Sequence, residues 1–270
     1  YIIDKVKFNF YKKNIFFIKS DLKKKIFKKN NFSYIFHMAA ELGVKNVINN
    51  SIYTLDTNYI TTKNIINFAK KNKNLKRIFF FSTSEVYSNL NKKKLMNEND
   101  KLLMPNIQHP RSSYWIGKII GEFLIINSNI PYTIFRIFNV YGKNVKTTHV
   151  IPSIFHKLKN HKKPLFENPS HTRSFIYIDD IIKIFLKSLN NKFKNQTINV
   201  GNPYEPIKIK DLVKKISYIM KINKKVYYKN FDNQSIKTRI PDIQKLKKLI
   251  GKFQFTKLNN GLNEINKKYD

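Results

Sequence analysis

The chain has 270 residues, of which 41% are hydrophobic and 26% are charged, a balance typical of a globular protein with a buried core. It contains no cysteine, which excludes disulfide scaffolds, thiolate metal sites and cysteine nucleophiles. No apolar run reaches the roughly 20 residues that a membrane-spanning helix needs, and the first residues lack the layout of a secretory signal. We therefore expect a cytoplasmic protein with no membrane partner.

The formal net charge is +35, from 52 lysines and arginines against 17 acids, an excess also found in proteins that bind nucleic acid. The lysines, however, are spread over every segment, and arginine, which reads bases in bidentate geometry, is scarce. We interpret the excess as compositional bias at permissive surface positions. The few arginines are expected where a planar donor group is needed; they are Arg77, Arg111, Arg136, Arg173 and Arg239.

Short apolar runs rich in β-branched and aromatic residues alternate with longer stretches of helical periodicity. Strands are predicted at residues 1–3, 15–18, 34–38, 77–81, 133–138, 175–178 and 197–200. Helices are predicted at residues 21–29, 55–71, 113–126, 151–159 and 179–189. This alternation predicts an α/β fold with a doubly wound, Rossmann-like parallel sheet.

The pattern changes near residue 203. A helix at 209–220, a short strand at 226–228 and two terminal helices follow, with Pro241 expected in the first turn of one of them. We expect a smaller C-terminal α+β domain that binds the substrate and comprises residues 143–173 and 202–270. Residues 1–142, completed by 174–201, would form the nucleotide-binding domain.

The opening of the expected nucleotide-binding domain is incomplete. Such a domain begins with a strand, a glycine-rich turn and a helix that together hold a pyrophosphate, but no glycine precedes Gly43. Asp4 stands where the second strand carries the acid that bonds the adenosine ribose. We interpret the sequence as lacking about 30 residues of this first unit, with loss of the phosphate-binding element as the alternative.

The strongest candidate for chemistry is the pair Tyr114 and Lys118, one turn apart on one face of a predicted helix. A free tyrosine has a pKa of about 10, and a nearby cation lowers that pKa because it favours the phenolate. The pair is suited to exchange a proton with a substrate hydroxyl while a nicotinamide takes the hydride. Chance pairs are expected in a chain with 15 tyrosines and so many lysines, so the neighbouring motifs must decide.

Polar residues follow the predicted strands in a definite order. Ser82, Thr83, Ser84 and Glu85 come directly after the strand at 77–81, at the edge where parallel sheets bind ligands. Further motifs occupy residues 136–142, 172–180, 199–202 and 239–243.

This ordered set resembles the extended short-chain dehydrogenase/reductases that modify nucleotide sugars, the NAD-dependent epimerase/dehydratase family. The resemblance covers essentially the whole chain except the glycine-rich opening unit. It implies NAD as cofactor and a nucleotide sugar, with a UDP-sugar favoured, as substrate; no metal ion is expected. It also implies a homodimer, formed through the helix that carries the Tyr-Lys pair and the helix before it. The apolar residues available for that interface, or for the core, are Ile119, Ile120, Phe123 and Leu124.

The resemblance also implies roles for single residues. Tyr114 would be the catalytic acid/base, Lys118 would bind the nicotinamide ribose, and Thr83 would hydrogen-bond the reacting hydroxyl. Asp4 would hold the adenosine ribose, and Tyr114 would also contact the cofactor. Further cofactor contacts would come from Asp21, Leu22, His37, Ala39, Ala40, Asn58 and Ser82. Substrate contacts would come from Ser84, Glu85 and Asn139, and at the diphosphate from Arg173 and Arg239.

The Thr83-Ser84-Glu85 order is similar to that of UDP-glucuronate decarboxylases, which implies a catalytic role for Glu85, with Arg239, at the substrate carboxylate. Dehydratases carry an aspartate at the position of Ser84, and 4-epimerases do not need the glutamate. Residues 39–47, in contrast, are closer to epimerase-like members. The leading hypothesis is UDP-glucuronate decarboxylation through a transient 4-keto sugar, with nucleotide-sugar 4-epimerisation as the alternative.

A function of another class is also open. Some relatives of this fold have lost catalysis and bind RNA, which the lysine excess and the absent glycine turn would suit. We do not expect a nucleic-acid partner, because such a relative has no reason to retain Thr83, Tyr114 and Lys118 together.

Overall fold

A computed structural model describes residues 1–5, 13–24, 31–87, 95–102, 106–231 and 236–269. Within these residues the strands are β1 (Ile2–Asp4), β2 (Phe17–Lys19), β3 (Tyr34–His37), β4 (Arg77–Thr83), β5 (Tyr132–Ile137), β6 (Val140–Tyr141), β7 (Leu165–Glu167), β8 (Thr172–Arg173), β9 (Ile176–Tyr177), β10 (Gln196–Val200), β11 (Ile207–Lys208), β12 (Tyr227–Lys229) and β13 (Thr238–Arg239). The helices are α1 (Val44–Asn49), α2 (Ser51–Lys70), α3 (Ser112–Ile126), α4 (Val150–Asn160), α5 (Ile178–Lys187), α6 (Ile209–Ile219), α7 (Gln244–Ile250) and α8 (Leu258–Asn266). No helix in the described ranges is both long and apolar enough to cross a bilayer.

The largest sheet has four strands in the order β10-β5-β4-β3. Strands β3 and β4 pair in parallel, with Tyr34 opposite Arg77 and His37 opposite Phe80. Every residue of β4 is buried, as expected for a strand that is covered on both faces. The predicted α/β fold with a parallel sheet is confirmed.

The chain forms two compact units. Unit 1 comprises Tyr1–Ser82, Pro110–Ile134 and Lys194–Gln196, and unit 2 comprises Thr83–His109, Phe135–Phe193 and Thr197–Asp270. The predicted division into a nucleotide-binding and a substrate-binding domain remains a prediction.

Strands β1 and β2 form a separate parallel pair in unit 1, with Asp4 opposite Lys19 at its end. The prediction of a helix at 21–29 is wrong for residues 21–24, which form a turn, and residues 25–29 lie outside the described ranges. The Asp21 carboxylate accepts the backbone N–H of Lys23 at 2.9 Å. The Asn64 amide of α2 donates to the backbone carbonyls of Leu22 and Lys23. These side-chain bonds compete with helical ones and favour the turn.

The core of unit 1 lies where α2 and α3 pack on the sheet. Buried apolar side chains from both helices and from β4 and β5 form one cluster, which comprises Ile66, Ala69, Ile78, Phe80, Ile125 and Ile134. Removing such surface from water stabilises the fold by about 25 cal/mol per Å². This packing fixes α3, and with it the Tyr-Lys pair, against the end of β4.

Gly121 of α3 packs directly against Phe80 of β4. A Cβ atom at this position would stand 2.5 Å from Cζ of Phe80. Overpacking of this kind costs about 1–3 kcal/mol, and the better helix propensity of alanine offsets about 1 kcal/mol of it. We therefore expect Gly121→Ala to lower the free energy of unfolding in urea by up to about 2 kcal/mol. Adding Phe80→Leu should reduce that loss, and a Gly121→Ala variant more stable than the wild type would contradict the packing.

Unit 2 contains the sheet β11-β8-β13 and the strand pairs β12-β7 and β6-β9. Its core is formed mainly by the apolar faces of three helices, α4, α6 and α8. The central side chains are Ile154, Phe155, Leu158, Leu212, Val213, Ile216, Leu258, Leu262 and Ile265.

Pro241 is not in a helix, so the prediction for it is wrong. It forms an isolated parallel bridge with Met96, and α7 begins three residues later, at Gln244. Asp242 nevertheless lies at the helix start, where its carboxylate accepts the Gln244 N–H at 2.8 Å. A negative charge is favourable at that end of a helix.

Candidate active site

Helix α3 carries the predicted Tyr-Lys pair. Tyr114 is half-buried and Lys118 is buried. The Lys118 Nζ donates a hydrogen bond of 2.6 Å to the backbone carbonyl of Phe81, near the carboxyl end of β4. The ammonium group is therefore held at the edge where parallel sheets bind their ligands.

The protonation of Lys118 is set by its burial. Loss of solvent lowers the pKa of Lys118 from its ordinary 10.5 to about 8, while the carboxylate of Glu122 acts in the opposite direction. An ammonium group has three N–H donors, and the described residues show one acceptor for them, the Phe81 carbonyl. A positive group with spare donors is suited to a ligand hydroxyl or to an adjacent phenolate.

Glu122 was not predicted as a site residue. It lies one turn beyond Lys118 on α3, is only 3% exposed, and its Oε1 accepts a 2.5 Å hydrogen bond from the Ser82 hydroxyl. The spacing of four residues from Lys118 was the signal in the sequence that could have identified it.

His37, which the motifs placed beside the cofactor, has a buried side chain whose bonding the sequence did not reveal. The Thr62 hydroxyl donates its proton to the Asn58 carbonyl at 2.8 Å. His37 Nε2 lies 3.0 Å from the Thr62 hydroxyl oxygen, and it must be the donor to that oxygen because the hydroxyl proton is already used. His37 Nδ1 is then a bare acceptor, and it has no partner among the described residues. Burial, and next the charge of Lys118, lower the pKa of His37 to about 3.

This histidine predicts a loss of stability in acid. Because its pKa is 6.5 when unfolded and about 3 when folded, the unfolded chain binds the extra proton, and stability falls as the pH falls through that range. Between about pH 7 and pH 5 the unfolding free energy of the wild type should fall by about 2 kcal/mol more than that of His37→Gln. Urea unfolding at the two pH values measures this, with His156→Gln on the exposed face of α4 as the control. Equal losses in wild type and His37→Gln would refute the assignment.

The residues predicted to contact the cofactor all lie in unit 1. Asp4 is half-buried at the end of β1, and Asp21 and Leu22 form the turn after β2. Ala39 and Ala40 follow β3. Asn58 is buried in α2; its Oδ1 accepts the Glu41 N–H at 2.9 Å, and its Nδ2 has no partner among the described residues.

Thr83 ends β4, and Ser84 and Glu85 begin the short 3₁₀ helix Ser84–Tyr87 in unit 2. The Glu85 N–H donates to the Thr83 hydroxyl at 3.2 Å, which leaves the hydroxyl proton available for another acceptor. Ser84 is buried. Glu85 Oε1 forms an ion pair of 3.3 Å with Nη1 of Arg239, which is itself buried.

Arg173 and Arg239 lie side by side as register partners of the parallel strands β8 and β13. Arg173 donates to the carbonyl oxygens of Thr172 and Lys237 and to Nδ1 of His171. Burial, followed by the charges of Arg173, Arg239 and Lys237, lowers the pKa of His171 to about 4. The cluster therefore carries its positive charge on arginine and lysine, with a neutral histidine beside them.

Asn139 also lies in unit 2. Its amide donates to the Ser174 carbonyl at 3.0 Å, and it holds the chain next to Arg173.

A buried network that sequence motifs did not predict supports the turn after Thr83. Arg136 donates to the Tyr87 hydroxyl at 2.9 Å, and that hydroxyl donates to Asn199 at 2.8 Å.

Comparison with known proteins identifies the family. The sequence profile described as the NAD dependent epimerase/dehydratase family matches residues 6–201. The chain belongs to this family. The predicted family is thereby confirmed, and its members named below are nucleotide-sugar decarboxylases, dehydratases and epimerases.

Two relatives and one solved structure show the range of the family. UDP-N-acetyl-alpha-D-glucosaminuronate decarboxylase of Bacillus cytotoxicus is 30% identical, over 82% of this chain and 71% of that protein. dTDP-D-glucose 4,6-dehydratase of Dictyostelium discoideum is 31% identical, over 80% of this chain and 51% of that protein. The crystal structure of UDP-glucose 4-epimerase of Thermotoga maritima with UDP-glucose has a TM-score of 0.84 at 20% identity, over 99% of this chain and 89% of that one. This last likeness confirms the Rossmann-like fold.

The family depends on NAD, and the residues of unit 1 fit two parts of that cofactor. Asp4 at a strand end suits a ribose diol, and the buried Lys118 ammonium has donors to spare for a second ribose. The unpartnered buried atoms His37 Nδ1 and Asn58 Nδ2 supply one acceptor and one donor. These residues would hold the adenosine and nicotinamide ends.

Proposed function

We propose that this protein is an NAD-dependent nucleotide-sugar decarboxylase that acts on UDP-glucuronate or a closely similar UDP-hexuronate. The observation that carries the proposal is the ion pair between Glu85 and Arg239. Glu85 lies two residues after Thr83, and the position between them is a serine, not an acid. The 30% identical uronate decarboxylase supports the same class of substrate.

The charge of the unit 2 cluster supports an anionic substrate. Arg239 and Arg173 stand next to each other in register, and planar guanidinium groups match both carboxylates and phosphates with paired hydrogen bonds. His171 adds no charge near neutral pH, because burial and its cationic neighbours keep its pKa at about 4. The proposal assigns Arg239 to the sugar carboxylate and Arg173 to the diphosphate, with Asn139 also contacting the substrate.

The proposed chemistry needs a base at the C4 hydroxyl. The Tyr114 phenolate takes the hydroxyl proton, the Lys118 ammonium favours that phenolate, and the Thr83 hydroxyl donates to the reacting oxygen. Bound NAD would supply the acceptor for the hydride from C4 and the donor for its later return. The resulting ketone makes the C6 carboxylate a β-keto acid, so the C5–C6 bond breaks with release of carbon dioxide and its electron pair forms an enolate. C5 then takes up one proton from solvent, with Glu85 assigned to deliver it, and return of the hydride to C4 is accompanied by return of the Tyr114 proton to the C4 oxygen.

The test uses purified protein with NAD and UDP-glucuronate. We expect carbon dioxide and a UDP-pentose, detected by mass spectrometry, and we expect Glu85→Gln and Arg239→Lys to lose both products. Glu264 is a half-buried acid of α8 in the same unit, and Glu264→Gln, the matched control, should remain active. Absence of carbon dioxide and UDP-pentose from the wild type would reject decarboxylation.

Other products would identify the alternative functions. A new diastereomer of unchanged mass would indicate a 4-epimerase, the second candidate, since hydroxyl residues such as Ser84 suffice for that reaction. Loss of water is not favoured, because the buried Ser84 offers no acid for a leaving hydroxyl. RNA binding that weakens steeply with salt, without any cofactor signal, would instead indicate an inactive relative.

We also propose a homodimer formed through α2 and α3. Leu124 packs against the core of unit 1, whereas Phe123 of α3 is 64% exposed and Ile52 of α2 is 78% exposed. Apolar side chains at this exposure favour association. Sedimentation should give a dimer for the wild type and a monomer for Phe123→Glu.

A further inference from the structure

Glu122 is a buried acid that the proposed chemistry does not use. Its carboxylate is held by the Ser82 hydroxyl at 2.5 Å, and Ser82 directly follows Phe81, whose carbonyl accepts from Lys118 at 2.6 Å. Glu122 is also one turn from Lys118 on α3. The acid and the amine are therefore bonded to consecutive residues of β4, Ser82 and Phe81. A buried charge persists only when it is paired or hydrogen-bonded, so this arrangement needs a reason.

The surroundings of Lys118 give that reason. Strand β3 presents His37, which is neutral because its pKa is about 3. Strand β4 presents the Phe81 carbonyl and the ring of Phe80, 5.1 Å from Nζ. Helix α2 contributes the buried and uncharged Asn58 and Thr62, of which Thr62 is bonded to His37. Helix α3 carries Tyr114 and Glu122, each four residues from Lys118. Glu122 is therefore the acid whose charge favours the ammonium form of Lys118 against its burial.

We propose that Glu122 is a positioning residue that keeps Lys118 protonated at working pH, and that Ser82 holds the Glu122 carboxylate in place for this task. The consequence for turnover rests on the proposed function, since a neutral amine at 118 would no longer favour the Tyr114 phenolate. The protonation state of Lys118 itself is independent of any substrate and can be measured directly.

The experiment is an NMR pH titration of the full-length protein with ¹³C at the lysine ε carbons. The Lys118 signal, identified by its absence in Lys118→Arg, should titrate near pH 8, apart from the exposed lysines near about 10.4. In Glu122→Gln that midpoint should fall by about one pH unit, and Ser82→Ala should move it in the same direction. Glu264→Gln on the surface should leave it unchanged.

An unchanged Lys118 midpoint in Glu122→Gln overturns the proposal. If that variant does not fold, Ser82→Ala and the charge-retaining Glu122→Asp are titrated instead, and a midpoint unmoved by Ser82→Ala overturns it equally. The alkaline limb of kcat/KM in Glu122→Gln should shift to lower pH by the same amount as the NMR midpoint. A shifted midpoint in a protein that turns over no nucleotide sugar would reject the proposed function and leave the role of Glu122 standing.

Discussion

Replacing Tyr114 with phenylalanine should lower the rate of sugar conversion by about 10²–10⁴-fold, the contribution typical of a positioned acid/base. The substitution removes one hydroxyl from a half-buried ring on α3, so the fold should persist. NAD binding, measured by calorimetry, should change little, because the proposal assigns Tyr114 to proton transfer at the sugar. Steady-state and single-turnover kinetics with UDP-glucuronate measure the rate.

The matched control is Tyr218→Phe on α6, where the ring is 86% exposed, and it should retain wild-type turnover. A Tyr114→Phe enzyme within twofold to threefold of the wild type would be inconsistent with the acid/base role. If NAD binding fell together with the rate, the hydroxyl would serve the cofactor and not the proton.

Lys118→Met should abolish measurable turnover and also change stability in a defined pH window. The pKa of Lys118 is about 8 in the folded chain and 10.5 when unfolded, so the buried ammonium opposes folding by about 3 kcal/mol below pH 8. Methionine removes this cost. As the pH rises from 8 to 10.5, the wild type gains stability relative to the variant, and above that range the two differ only by packing and lost contacts.

Urea unfolding of both proteins at several pH values measures this difference, with Lys214→Met at an exposed position of α6 as the control. Between pH 8 and pH 10.5 the unfolding free energy of the wild type should rise by about 3 kcal/mol relative to that of Lys118→Met. A difference in unfolding free energy that does not depend on pH would show that Lys118 is not buried as a cation. Activity retained by Lys118→Met would reject its role in the site.

The longest elements were predicted closely because their signals are local. Helices expected at 55–71 and 113–126 are Ser51–Lys70 and Ser112–Ile126, and the strand at 77–81 extends to Thr83. The strand expected at 175–178 is only Ile176–Tyr177, because Ile178 already begins α5. Helix periodicity and apolar runs reflect the burial of one face, whereas the ends of short strands depend on pairing with distant residues.

Some features of the candidate site could likewise be predicted from local spacing, and others could not. The spacing of Tyr114 and Lys118 was visible in the chain, because a helix brings residues four apart to one face. The bonds of Lys118 to Phe81 and of Ser82 to Glu122 join residues about forty positions apart. No local pattern encodes such contacts.

The order of motifs in the sequence therefore determined the family and the parallel sheet, and it indicated the candidate reactive side chains. The tertiary structure alone decided their protonation: His37 is neutral, Lys118 has a pKa of about 8, and Arg239 is paired with Glu85. The physical reason is that spacing along the chain specifies which groups share a face. A pKa, in contrast, depends on the solvent and charge that surround a group in three dimensions, and these are set by the packing of strands and helices that are remote in sequence.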